Sequence, residues 1–413
     1  MGTYTEQLDH IIETISPEDD NYTEELMAVM ASFREFGEAL DAFIVDKGYK
    51  GDITDVKAKV AFIKSKFDQA GIQEYPRNMK KWFTDQVRIK DRQKDRRTIF
   101  QLCFAFELDV QESEAFCQKV CLQRGFDCHM IEEAVFYYAI KHHLSYNEAM
   151  DIIHQVPKPD QQPLNLKGDV LFTQTITKEI DRFQSSEELI AFFIDNLDQF
   201  GYNNATAYRT IHHLWDTIQG PQGLANKERE ILFAQDKPKE AKKLSTWDIY
   251  MQILGFYEFD DDHSPLFAFQ DRSLKPILKN NALLHPLAED CFPDRQGLEH
   301  ILRGAHKSNE LVRKTMILLA FYVYWTKWCL KNRDATIITN AEDCQRCYYE
   351  MNHYLVEAGY PALYAGNPYD WIFLYAMQDD YPLDTFRYFM KELYVHNQNL
   401  LYPLADASEK PEA

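Results

Sequence analysis

Apolar residues recur along this chain at helical spacing in segment after segment. In Val56–Phe67 they fall at Val56, Val60, Phe62, Ile63 and Phe67, which lie on one face at 3.6 residues per turn. Similar stripes run through Glu24–Val45, Arg97–Leu108, Ile131–Ile140, Tyr146–Ile153, Glu187–Leu197, Ala205–Ile218, Leu311–Leu330 and Trp371–Met377. Several begin at residues that cap exposed amides: Ser16 before Pro17, Asp52, Ser145, Ser185 and Ser245. Strand candidates such as Ala335–Thr339 are short and isolated, so the pattern predicts an all-α protein. Three prolines in Val156–Pro163 predict the end of one helical unit, and Gly220–Gly223 and the charged stretch Lys237–Lys243 divide the middle of the chain. Phe259–Pro265 reads as an exposed acidic loop.

A second regularity is internal. Arg96–Phe106 and Arg313–Val323 share four of eleven positions (Arg96/Arg313, Thr98/Thr315, Leu102/Leu319 and Phe104/Phe321), and most of the others stay apolar. Downstream, Gly125-Phe126 lies opposite Gly359-Tyr360, and Glu133–Ile140 lies opposite Asp370–Met377 with Phe, Tyr and Ala matching. An insertion follows Val323 in the second copy. Collinear matches that include arginines and glycines, and not only an apolar stripe, predict two related multi-helix modules joined by a middle helical unit. The expected segments are 1–50 (acidic, helical), 51–156 (first module), 157–270 (middle unit), 271–402 (second, divergent module) and 403–413 (flexible tail).

Composition narrows the class. At 413 residues the chain has room for two or three domains. Fifteen glycines against 57 aromatic residues argue against a glycine-rich α/β nucleotide binder. No apolar run reaches the ~18 residues that a membrane helix needs, and Glu6, Asp9 and Glu13 stand where a signal peptide would be basic and then apolar. Eight cysteines form no disulfide framework, so a reducing cytoplasm is expected and no membrane contact. The net charge is −20, yet Arg77–Arg97 holds nine basic residues against three aspartates, +6 in an otherwise −26 chain. Such an island can meet phosphates in one place while the rest of the surface repels them. It can equally be a solvated loop, or pair with the chain's own acidic Glu18–Glu25.

The order of elements around this island is an amphipathic helix ending at Ala70-Gly71-Ile72, a short helical stretch Asn78–Thr84, a basic connection, and a packing helix running to Leu102–Val110. That order resembles the lambda-repressor-like (Xre-type) helix-turn-helix, over about 60 residues. The resemblance implies a second helix entering the major groove of double-stranded DNA, with Arg77, Asn78, Lys80 and Lys81 facing bases or phosphates. Arg88, Lys90, Arg92 and Lys94 of the connection would add phosphate contacts. The long, charged connection Asp85–Asp95 departs from that family. The second copy has Gly297–Asn309 in its place, with Arg303, His306 and Lys307 the main basic groups. Ala358–Tyr364 and Asn367–Asp370 resemble helical extensions that follow such domains in bacterial proteins, implying a bacterial regulatory, mobile-element or phage-defence setting.

Candidate chemistry is sparse. Cys344-x-x-Cys347 with His353, and Cys117, Cys121, Cys128 and His129, lack the spacing of a zinc finger. Glu350-x-x-His353 has no second copy to complete a di-iron set. His142-His143, His212-His213, Glu132-Glu133 and Asp379-Asp380 read as surface, core or helix-end groups. The aromatic run Phe321–Trp325 and Tyr348-Tyr349 can stack bases or pack in the core, and their helical spacing favours the core. The sequence therefore predicts a non-enzymatic regulator without catalytic residues, metal or cofactor, binding nucleic acid through the basic segment. The alternative is a helical adaptor acting through protein contacts. Oligomeric state stays open.

Overall fold

The computed structural model describes residue 15 and residues 21–159, 173–201, 204–232, 244–255, 292–293, 295–305, 308–332 and 338–390. Among them every regular element is a helix. The first ten are α1 (Tyr22–Ser32), α2 (Phe36–Asp46), α3 (Val56–Gln69), α4 (Met79–Thr84), α5 (Gln93–Ala105), α6 (Val110–Lys119), α7 (Ile131–Lys141), α8 (Tyr146–Gln155), α9 (Thr173–Ile180) and α10 (Ser186–Asp195). After a single 3-10 turn, Leu197–Gln199, come α11 (Ala205–Ile218), α12 (Leu224–Leu232), α13 (Thr246–Ile253), α14 (Arg295–Leu302), α15 (Asn309–Lys331), α16 (Ala341–Glu357) and α17 (Pro368–Met377). Residues 382–390 are helical as well. The all-α expectation is met; of the expected caps, Ser16 lies outside the described residues, and Asp52 serves a turn, accepting the Thr54 N–H, while Asp55 caps α3. Ser145, Ser185 and Ser245 each accept a backbone N–H in a reciprocal capping box. The stretches 237–243 and 259–265, the tail from Pro403 and most of the Ala335–Thr339 candidate lie outside the described residues.

The buried side chains form two hydrophobic clusters. One runs from Phe36 to Phe200 and takes in α2–α10. The other joins α1 to α11–α17 and residues 382–390. The expected middle unit 157–270 therefore has no core of its own among the described residues. Ile176, Ile180, Leu189 and Phe193 belong to the first cluster, whereas Tyr208, Trp215 and Tyr250 belong to the second. The N-terminal segment 1–50 is divided too, with Phe33 on one side and Phe36 on the other. Amphipathic stripes show that a helix buries a face, but not which neighbour receives it.

Residues matched between the two stretches of similar sequence make like contacts. The Arg96 guanidinium donates to both Glu133 oxygens at 2.7 and 2.9 Å and to the Gly125 carbonyl at 2.6 Å. Arg313 donates to both Asp370 oxygens at 2.7 Å and to the Pro361 carbonyl at 3.3 Å. Each acid is the third residue of its helix, where the partial positive charge of the helix start favours it. Each also accepts a backbone N–H from six residues upstream, Asp127 (2.8 Å) for Glu133 and Tyr364 (3.0 Å) for Asp370. Phe104 meets Phe136 edge-on at 5.7 Å and 73°; Phe321 meets Phe373 at 5.2 Å and 71°. Arg97 pairs with Glu132, and their counterparts Lys314 and Tyr369 also touch, the Tyr369 hydroxyl donating to the Lys314 carbonyl at 2.7 Å.

Burial works against the charge on Arg96, but Glu133 and Asp91 outweigh it and hold its pKa above the ordinary arginine value. Removing one member of such a pair leaves the other buried and uncompensated. Arg96→Met is expected to cost about 3–5 kcal/mol in urea unfolding, and Arg96→Met/Glu133→Leu to recover at least half of that loss.

His129, between α6 and α7, is buried, and burial depresses its pKa below the usual histidine value although Asp127 beside it acts in the opposite direction. The unfolded chain then binds the proton more readily. The stability held by neutral His129 is complete above the unfolded pKa of about 6.5 and is lost as pH falls below it. Urea midpoints at pH 7.5 and 5.5 should differ less for His129→Gln than for the parent chain.

Candidate nucleic-acid interface

α4 is short and sharply two-faced. Met79, Trp82 and Phe83 are buried, Trp82 edge-on to Phe36 of α2 at 6.2 Å. Lys59 of α3 is paired with Asp41 at 2.7 Å and lies 4.3 Å from the centre of the Phe83 ring. With its apolar face fixed in this way, α4 leaves Lys80 and Lys81 in solvent, with Arg77 and Asn78 exposed just ahead of it. Asn78 is the first cap residue but makes no side-chain cap bond.

The connection from α4 to α5 is pinned along its length. Gln86 has a left-handed backbone (φ 51°), and its side-chain oxygen accepts the Gly37 N–H at 2.7 Å. A Cβ at Gly37 would come within 2.6 Å of the Trp82 carbonyl, so only glycine admits this approach. Gln123 donates to the Ile89 carbonyl at 2.5 Å. Asp91 lies 3.5 Å from the Arg96 guanidinium and also accepts the Glu310 N–H at 3.0 Å, which ties the connection to α15 in the other cluster. Ile89 is buried while Lys90 and Arg92 are exposed, on either side of a tight turn in which the Arg92 N–H donates to the Lys90 carbonyl at 2.8 Å.

Arg77, Lys80, Lys81, Lys90, Arg92 and Lys94 are exposed and form no ion pair among the described residues. Three basic residues of the segment differ. Arg88 is half-buried beside Arg34, Lys119 and Tyr364. Arg96 and Arg97 are taken up by Glu133 and Glu132. The helix pair also departs from a helix-turn-helix: residues 70–78 separate α3 from α4, where a turn of 3–4 residues is usual, and α4 has only six residues. Gly71 adopts φ 71° at the end of α3 in the manner of a C-terminal glycine.

Other sequence candidates are dispersed. Among the described residues no group of three His, Cys, Asp or Glu side chains is placed to hold a metal ion. Cys347 is buried 3.7 Å from the Met351 sulfur, Cys344 bonds the Met377 carbonyl, and His353 is exposed beside Glu357. Phe321, Tyr322 and Trp325 are buried in the core, and Tyr349 is exposed. A cavity of about 20 Å³ at the seam between the clusters, lined by Asp91, Arg124, Glu310, Arg313, Tyr360 and Asp370, has room for a single water. No helix among the described residues is long and apolar enough to cross a membrane.

Comparison with family models, with curated proteins and with solved structures returns no match.

Gln123 is the residue that the basic segment's own sequence does not announce. Its side chain bridges the Ile89 carbonyl and Arg96. Gln123→Ala is expected to speed amide exchange over residues 87–92 by about tenfold, the worth of one buried hydrogen bond, with α3 unchanged in hydrogen-exchange mass spectrometry.

Proposed function

We propose that this chain is a non-enzymatic regulatory protein, bacterial and cytoplasmic, that holds double-stranded DNA by its phosphates on the surface formed by Arg77, Lys80, Lys81, Lys90, Arg92 and Lys94. One observation carries the reading: six exposed cations without ion pairs among the described residues, in a chain with 65 acidic and 45 basic residues. Cations in such an acidic protein would find carboxylate partners readily, and these six pair with none among the described residues. Contact with backbone phosphates suits the geometry better than base reading, because a six-residue helix on a long connection has little length to lay in a groove. The proposal includes two related helical modules, the first carrying the basic segment and the second serving as a packing partner. The matched Arg96–Glu133 and Arg313–Asp370 pairs support it.

The second reading is an adaptor that offers the same cations to an acidic protein. Exposed Tyr349 and Val356, seven residues apart on α16, favour an additional protein contact.

Fluorescence anisotropy with a labelled 20-base-pair duplex tests the first reading. Binding is expected at 50 mM salt, with a slope of log K against log salt near −5, about −0.9 for each of six phosphates. Lys80→Glu/Lys81→Glu/Lys90→Glu should weaken binding more than tenfold and flatten the slope. Absence of binding, or an unaffected variant, excludes the DNA reading, and capture of a protein partner unchanged by nuclease favours the adaptor.

A further inference from the structure

The longest helix among the described residues carries a feature that the basic segment does not explain. α15 runs well past Val323, where the match to Arg96–Phe106 ends, whereas α5 stops at Ala105. On this extension Tyr324, Lys327, Trp328 and Lys331 follow one another at i, i+3, i+4 and i+7, a single helix face. Facing them, α16 presents Asp343, Arg346 and Glu350 at i, i+3 and i+7. Between the two stripes lies an open groove of about 540 Å³.

Its chemistry is aromatic and cationic. Trp328 is half-buried, 6.1 Å from the buried Trp325 ring, with part of its indole left toward the groove. The Tyr324 hydroxyl donates to the Asp343 carbonyl at 2.9 Å, so the ring is fixed. Lys327 and Lys331 are exposed and make no ion pair among the described residues. The two acids of the groove are engaged: Asp343 accepts from Arg346 at 2.8 Å and Glu350 from the Tyr354 hydroxyl at 3.4 Å.

We propose that this groove binds a nucleotide unit, the base against Trp328 and the phosphate on Lys327 and Lys331. A half-buried indole beside two lysines one helical turn apart matches a flat base joined to an anion, and base-on-aromatic stacking tolerates any base. The groove volume falls within the range of small-ligand sites. The site is separate from the surface of residues 77–94 and stands without it. The same chemistry comes from a free nucleotide or from one unit of a single strand.

Isothermal titration of the full chain with adenosine 5′-monophosphate and with the single-stranded octamer (dA)8, at 50 mM salt, separates these sources. Binding of either supports the site if Trp328→Ala and, separately, Lys327→Gln/Lys331→Gln each weaken it about tenfold while Trp328→Phe stays within about twofold. Binding of the monophosphate assigns a free nucleotide, and binding of the octamer alone assigns a strand. The two lysines are exposed, so their variant keeps the test valid if Trp328→Ala unfolds, which circular dichroism checks. The proposal is overturned if the folded protein binds neither ligand, or if binding is lost in Lys80→Glu/Lys81→Glu and kept in the groove variants.

Discussion

A buried guanidinium needs its charge answered on every side, and Arg96 meets that demand by gathering parts of the fold that are distant in sequence. Glu133 comes from the start of α7, Gly125 and Gln123 from the loop before it, and Asp91 from the basic connection. Taking such an ion out of water costs several kcal/mol unless each N–H is matched, so these elements are constrained together. Asp91 extends the constraint outward, because its carboxylate also receives the first turn of α15. The exposed lysines and arginines are thus displayed from a segment whose inward side chains are fixed at Gln86, Ile89 and Asp91.

The second Arg–acid pair, Arg313 with Asp370, is again two-pronged but approaches differently: Arg96 uses Nε and Nη2, Arg313 uses Nη1 and Nη2, with a shorter carboxylate and a tyrosine N–H in place of an aspartate N–H. The aromatic contact beside it is repeated as well, at nearly the same angle. A bidentate guanidinium adds directional specificity to the contact between the helix that carries it and the helix that answers it. The two pairs recur in diverging surroundings: a basic connection precedes α5, and a long extension follows the matched part of α15.

Much of this was legible in the sequence. Serine caps, the glycine at position 71 and the apolar spacing in α3, α5 and α7 express local physics, and the chain obeys it locally. The matched arginines and acids could also be read, because a buried ion pair retains its residue types. The partition of the core could not: the stripe on α1 has the same form whether it packs on α2 or on Trp371. Arg96 and Arg97 look like members of the basic run until Glu132 and Glu133 are brought to them from 35 and 37 residues away. The face containing Lys327, Trp328 and Lys331 had a readable signal in its i, i+3, i+4, i+7 spacing, but the more conspicuous Phe321–Trp325 run, largely interior, lies beside it.

The chain leaves the second core at Arg34-Glu35, builds the whole of the first, and returns at Asn204. One body is in effect an insert within the other. Phe33 packs edge-on against Trp371 at 6.1 Å, a partner translated more than three hundred residues later. At about 5–20 residues per second, Phe33 is made on the order of twenty seconds to a minute before Trp371 exists. Phe33, directly after α1, meets Trp371 only at the end of that interval, so this edge of the second core is among the last to close.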